Sequence, residues 1–225
     1  MVNEIDDTYT EYGLSIQNLS YLTDNLSLLA GLRYDHFEID STATIYYTDG
    51  DFTGTFAPLE TPDERQLDSS NDNISGQLGL LYQFSDGLSV YGSYSESFIP
   101  NYPEVTSGTT APDEDLDPEE AEQYEVGIKS SLMNDKLRIT AAAYELTRKN
   151  VWSVDNDFVS HLNGKERTKG VELSATMQFV AGLNVLASAT QMEPEIVNDS
   201  KDTLDNEGNA PKSVPEEKAR VWGSY

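Results

Sequence analysis

The stretch ISGQLGLLYQF, residues 74 to 84, decides the fold. Its even positions hold Ile74, Gly76, Leu78, Leu80, Tyr82 and Phe84, and its odd positions Ser75, Gln77, Gly79, Leu81 and Gln83. Successive side chains of an extended strand point to opposite faces, so this alternation describes a strand with one apolar face and one polar face. The same period recurs along the chain. Val171, Leu173, Ala175, Met177 and Phe179 alternate with Glu172, Ser174, Thr176 and Gln178. Leu183, Val185, Ala187 and Ala189 do the same with Leu186 as the exception, and Tyr124, Val126, Ile128 and Leu132 alternate with Gln123, Glu125, Gly127, Lys129 and Ser131. Weaker runs cover 12–22, 26–40, 88–98, 137–152 and 218–225. Around Ala141 to Tyr144 the alternation slips, which marks either a bulge or a narrow position in the wall. The expectation is about eight full strands and a partial ninth.

The connections carry the architecture. Short turns are expected at 23–25, 85–87, 133–136 and 180–182, each with turn-forming residues. Long connections at 41–72, 100–121, 152–168 and 196–217 alternate with them and far exceed an ordinary hairpin loop. In an up-and-down meander, this alternation puts every short turn on one rim and every long loop on the other, as in outer-membrane barrels. All nine prolines fall in the long connections or at strand ends, where no ladder hydrogen bond is lost. The long connections hold 23 acidic and 5 basic residues, hence −18 of the formal net charge of −26.

That charge, with 40 Asp plus Glu against 14 Lys plus Arg, excludes nucleic acid as the main partner, because gripping a phosphate backbone requires clustered cations. No run is apolar enough for a membrane helix. The absence of cysteine removes disulfides, thiolate metal sites and cysteine nucleophiles. A mean hydropathy of −0.52 looks soluble, yet a transmembrane β-barrel averages its two faces to the same kind of value.

No catalytic motif is present, and the expectation is a protein that is not an enzyme and needs no cofactor or bound metal. Asp199, Asp202 and Asp205 lack the order of a calcium loop and read as a solvated acidic loop. Glu119 and Glu120 are adjacent by chance rather than a general acid and base. The better candidates for ligand contact are aromatic residues of the long connections: Phe52, Phe56, Tyr102, Trp152 and Phe158, with His161 beside them. Aromatic rings at a barrel mouth can stack on a ligand at small entropic cost. Tyr46, Tyr47 and Trp152, close to strand ends, fit an interfacial aromatic girdle better.

Several runs resemble the barrel of TonB-dependent siderophore receptors. They are GLRYDHFE from Gly31, LSVYGSYSESFIPN from Leu88, LDPEEAEQYEVGIKSSL from Leu116, AAAYELTRKNV from Ala141, RTKGVELSATMQFVAGLNVLASATQMEPEI from Arg167, and VPEEKARVWGSY at the end. The ferric-hydroxamate branch, with its ferrichrome-type receptors, is the most similar. The resemblance implies a plugged barrel in the bacterial outer membrane that takes up a ferric siderophore with energy from TonB. Its expected partners are the siderophore, the TonB complex acting through a plug and TonB box, and outer-membrane lipid with lipopolysaccharide. Such transporters have about 22 strands. Residues 1–225 are accordingly expected to be one part of an all-β, antiparallel, up-and-down transmembrane barrel, without plug domain or terminal strands. Alternatives are a receptor of this architecture for a cobalamin or a glycan, a small non-transporting acidic surface barrel or adhesin, and a secreted calcium-binding β-sandwich.

Overall fold

The computed structural model describes residues 2–46, 48–50, 56–58, 63–101, 117–154, 160–180, 182–198, 206–212 and 214–225. Eleven strands follow one another: β1 (Val2–Tyr21), β2 (Leu26–Tyr46), β3 (Thr48–Gly50), β4 (Phe56–Pro58), β5 (Asp63–Ser85), β6 (Leu88–Ile99), β7 (Glu119–Leu132), β8 (Leu137–Val154), β9 (Ser160–Val180), β10 (Leu183–Asn198) and β11 (Glu217–Ser224). Nine form one sheet in the order β1-β2-β5-β6-β7-β8-β9-β10-β11, and β3 and β4 form a separate ribbon. Each strand of the large sheet is hydrogen-bonded to the next along the chain, which is the meander that the alternation of turns implied. There is no helix among the described residues.

The strands run further than the apolar alternation does. Strand β1 starts at Val2 rather than near Tyr12, β2 extends to Tyr46, and β5 begins at Asp63 within the first long connection. Pairing of β8 with β9 continues to Val154 opposite Ser160. The backbone ladder needs no apolar side chains, so it continues into polar sequence where the period-two signal has already faded.

The slip around Ala141 to Tyr144 is not a bulge. Register is unbroken from Leu137 to Arg148 against both neighbours, and the irregularities fall instead between Arg148 and Val151 and between Val151 and Ser153. Small residues on both faces of the strand blurred the alternation there. At the true irregularity Asn150 adopts φ 55°, and Gly164 lies so close that an added Cβ would stand 2.7 Å from the Val151 carbonyl oxygen.

The chain divides into two compact units. In the unit of residues 1–14, 34–74 and 99–118, one face of β2 is buried through Asp35, Phe37, Ile39, Ser41 and Ala43, and the Ser41 hydroxyl donates to Asp7 Oδ1 at 2.6 Å. The unit of residues 15–33, 75–98 and 119–225 carries the clearer two-faced wall. One face exposes Leu78, Leu80, Tyr82, Tyr124, Val126, Ile128, Val171, Leu173 and Val221, with Val126 61 % exposed. A continuous apolar surface of this kind needs a partner, and hydrocarbon is the partner that fits every strand of it.

The short turns use local chemistry. Thr23 Oγ1 accepts from the Asn25 and Leu26 amides at 3.3 and 3.1 Å, and Asn25 Nδ2 donates to the Gln83 carbonyl at 2.7 Å. In the β7–β8 turn, Met133, Asn134 and Asp135 all have positive φ of 57°, 56° and 65°. The Ser131 hydroxyl ties this turn to the Asp135 carboxylate. Left-handed backbone is strained for residues with a Cβ, so Asn134→Gly is expected to stabilise the hairpin slightly, by about 0.5 kcal/mol. A rise in the urea midpoint of unfolding in lipid would show it, and a fall would contradict it.

Candidate functional site

The polar face of the second unit is the side on which a barrel holds its contents, and its side chains are organised in cross-strand rows. From the short turns upward the rows are Ser131–Arg138–Thr176–Leu186–Trp222, then Lys129–Thr140–Ser174–Ser188–Arg220, then Gly127–Ala142–Glu172–Thr190–Lys218. Above them stand Glu125–Tyr144–Gly170–Met192, Gln123–Leu146–Thr168–Pro194 and Ala121–Arg148–Glu166–Ile196. This face is rich in hydroxyls and charges because most of the residues that alternate onto it are polar.

Two tyrosines lie flat on glycines of the neighbouring strand. A Cβ on Gly127 would stand 2.5 Å from the Tyr91 ring, and one on Gly170 would stand 2.5 Å from the Tyr144 ring. The Tyr91 hydroxyl donates to Glu125 Oε1 at 2.5 Å, and Gln123 Nε2 donates to Glu125 Oε2 at 3.0 Å. Lys129 Nζ lies 4.6 Å from the centre of the Tyr91 ring. Nearer the long loops, Arg148 is clamped between two carboxylates: Nε donates to Glu119 Oε1 at 2.7 Å and Nη1 to Glu166 Oε2 at 2.7 Å. The clamp is part-buried, with Glu119 14 % and Glu166 18 % exposed. Arg148→Leu leaves both carboxylates poorly solvated without a donor, and a loss of about 1–3 kcal/mol in unfolding free energy is expected. An unchanged midpoint would show that water replaces the guanidinium.

On the apolar face, ion pairs mark where hydrocarbon ends. Lys149 pairs with Glu122 at 3.2 Å, Lys169 with Glu145 at 3.6 Å and Arg167 with Glu195 at 2.7 Å. Exposed pairs add little stability, yet charges at this height locate the interface, since a bilayer core would not hold them. Tyr124, opposite Glu145 in the same row, and Tyr94, with ring centres 4.8 Å apart, form an interfacial pair at this height. In the first unit, Asp72 accepts from the Tyr34 hydroxyl at 2.6 Å and lies 2.9 Å from His36 Nδ1. The Tyr34 hydrogen bond, and after it that of His36, holds the Asp72 carboxyl below the usual carboxylate range. The small stabilisation this carries is present above the ordinary carboxylate pKa and is lost as pH falls through the lowered one.

Of the residues singled out from sequence, Phe52, Tyr102 and Phe158 lie outside the described residues, as do Tyr47, Asp199, Asp202 and Asp205. Trp152 lies in β8 beyond the Asn150 irregularity, His161 pairs with Ser153 across β8 and β9, and Phe56 pairs with Gly50 in the small ribbon. Glu119 and Glu120, neighbours in one strand, face opposite sides, and Glu119 is committed to Arg148. What sequence reading missed is the row order of the polar face. Alternation names that face's residues, but only the register puts Tyr91 on Gly127 and Tyr144 on Gly170.

A meandering sheet with one lipid-facing and one polar face is the wall of an outer-membrane β-barrel. The family model for the "TonB dependent receptor-like, beta-barrel" domain matches residues 2–225, and the chain belongs to that family. Among curated relatives, the ferrioxamine receptor of Yersinia enterocolitica is 30% identical over 96% of this chain and 27% of its own length. The ferrichrome outer membrane transporter/phage receptor of Escherichia coli K12 is 34% identical over 65% of this chain and 19% of its own length. The solved ferric-catecholate import receptor Fiu of E. coli K12 superposes with a TM-score of 0.79 at 20% identity, over 97% of this chain and 32% of that one. The chain therefore spans about a quarter to a third of the length of most such relatives.

Proposed function

We propose that residues 1–225 form part of the barrel domain of a TonB-energised outer-membrane receptor that binds ferric siderophores outside the cell and imports them. The observation that carries this is the family match along the whole wall, supported by relatives whose names include ferrichrome and ferrioxamine. Plug, TonB box and further wall strands belong to this reading as parts of the whole receptor, and TonB, lipid and lipopolysaccharide are its partners. The ligand aromatics of this reading remain Phe52, Phe56, Tyr102, Trp152, His161 and Phe158, at the long-loop rim.

Within that class we favour a neutral or cationic ferric hydroxamate over an anionic ferric catecholate. The long connections are strongly acidic, and on the upper polar face Glu119, Glu125 and Glu166 outnumber Arg148, itself clamped by two of them. A surface of one sign repels ligands of that sign, and salt weakens the effect. Competition binding to the receptor carrying this chain, at low and high salt, tests it. Tighter binding of a ferric hydroxamate, with the gap narrowing in salt, is expected; tighter binding of a catecholate would overturn it. Relatives named for metal-pseudopaline or for copper favour a second reading, a receptor for another metal chelate.

A further inference from the structure

The apolar face of the wall is not uniformly bulky. Two recesses open on it, one of about 700 Å³ across β6 to β10 and one of about 580 Å³ across β9 to β11, and Val171 and Gln191 line both. They form one trough. Its floor is Gly92, Ala143, Ala189 and Ala219, where other positions of this face carry leucine, valine or tyrosine. One end of the trough is polar, with Glu145, Lys169 and Glu193 in a single cross-strand row, and the other is apolar, at Leu173. Four residues of β9 separate the two ends, about 14 Å along the strand. Between them the polar band dips towards the hydrocarbon. The row that is apolar through Val126, Ala143 and Val171 continues as Gln191 in β10 and Glu217 in β11. Among the described residues, the side chains of Gln191, Glu193 and Glu217 form no hydrogen bond or ion pair. Lys169 is held loosely by Glu145 at 3.6 Å.

We propose that this trough holds one amide-linked acyl chain of a glycolipid, an N-acylated amino sugar in the leaflet on the long-loop side. The proposal rests on the reading above, that this face of a receptor barrel meets the outer-membrane bilayer. Length selects a chain, because a headgroup alone does not reach from Lys169 to Leu173. Charge selects the polar end. A phospholipid presents an anionic phosphodiester, which only accepts hydrogen bonds, and it would face Glu145, Glu193 and Glu217 against one lysine already paired. Sugar hydroxyls and an acyl amide bring donors instead, which those carboxylates accept. The Gln191 carboxamide matches an acyl amide in both directions, as donor and as acceptor. Polar groups left without partners at the edge of hydrocarbon are costly, so an occupant that satisfies them stays where other lipids exchange.

The test is native mass spectrometry of the intact receptor, stripped of lipid in detergent and given one probe at a time: lipid A freed of its phosphates, phosphatidylethanolamine or phosphatidylglycerol. A single dephosphorylated lipid A per receptor is expected to survive collisional activation that removes both phospholipids. Ala189→Trp, which fills the floor, is expected to lower the bound fraction about tenfold, and Gln191→Leu about fivefold. Leu80→Trp, on the same face outside the trough, leaves it unchanged. Retained heat-modifiable mobility establishes that each variant is folded, and Ala189→Leu serves where Ala189→Trp is not. Equal retention of a phospholipid, a need for the phosphates of lipid A, or binding indifferent to both trough substitutions overturns the inference. A second readout separates it from the reading beneath. In vesicles of brominated phospholipid, the Leu80→Trp receptor is expected to lose more fluorescence than its parent. Without that extra quenching the face does not meet lipid and the membrane assignment fails; with it, a failed lipid A result overturns the trough alone.

Discussion

Leu173→Arg is expected to destabilise the wall by about 2–4 kcal/mol, the largest single effect among surface substitutions of this chain. Leu173 faces the apolar side in a row with Ile128, Ala141, Ala189 and Ala219. Another apolar row, Val126–Ala143–Val171, separates it from the charged row of Glu145 and Lys169. That distance places it well inside the hydrocarbon, beyond easy snorkelling of an arginine to the interface. Its sequence neighbour Ser174 faces the polar side, so Ser174→Arg is the control and is expected to cost less than about 1 kcal/mol. Urea unfolding of the receptor in lipid vesicles measures both. Equal losses would mean that the apolar face does not meet lipid, and the assignment of faces would fail. The whole receptor is the right material, because β1 and β11 each have one neighbour in the sheet and an open edge is intolerable in a bilayer.

The same two residues show how much of the molecule the sequence discloses. Period two at 171–179 assigns Leu173 and Ser174 to opposite faces without any structure, because nothing but the extended backbone is needed to alternate them. Strand order was legible too, since turns as short as 85–87 leave an antiparallel neighbour as the only option. Strand ends were not. Beyond the hydrocarbon the wall continues in polar residues, and Asp63 to Asp72 read as loop although the ladder holds them in β5. Cross-strand partners were not legible either, because they depend on where each hairpin sets its register, and a one-residue error exchanges the faces. The clamp of Arg148 by Glu119 and Glu166 joins residues from three strands, and no spacing in the sequence announces it. The aromatic ligand candidates rest on residue type and loop position alone, with no register to place one ring relative to another.

Gly127→Val is expected to cost about 1–4 kcal/mol even though valine favours strands more than glycine does. The Cβ that valine adds would stand 2.5 to 2.6 Å from two ring carbons and the hydroxyl oxygen of Tyr91, so the ring must swing off the wall. Leaving, it gives up its hydrogen bond to the Glu125 carboxylate, a charge-assisted bond of about 1.5–3 kcal/mol, and its contact with Lys129, about 0.5–1 kcal/mol. Strand propensity returns less than 1 kcal/mol of this. The double-mutant cycle with Tyr91→Ala separates steric conflict from a general intolerance of bulk. Once the ring is absent, Gly127→Val is expected to become neutral or stabilising, a change of sign readable as opposite shifts of the urea midpoint in the two backgrounds. If valine destabilises equally with and without the ring, the glycine is required for some other contact of this face. Tyr91→Phe keeps the ring on the glycine and removes only the hydroxyl, so its cost measures the Glu125 bond alone. Tyr144 lies on Gly170 in the same way, but among the described residues no hydrogen bond holds that ring's hydroxyl, so Gly170→Val is expected to cost less than its counterpart.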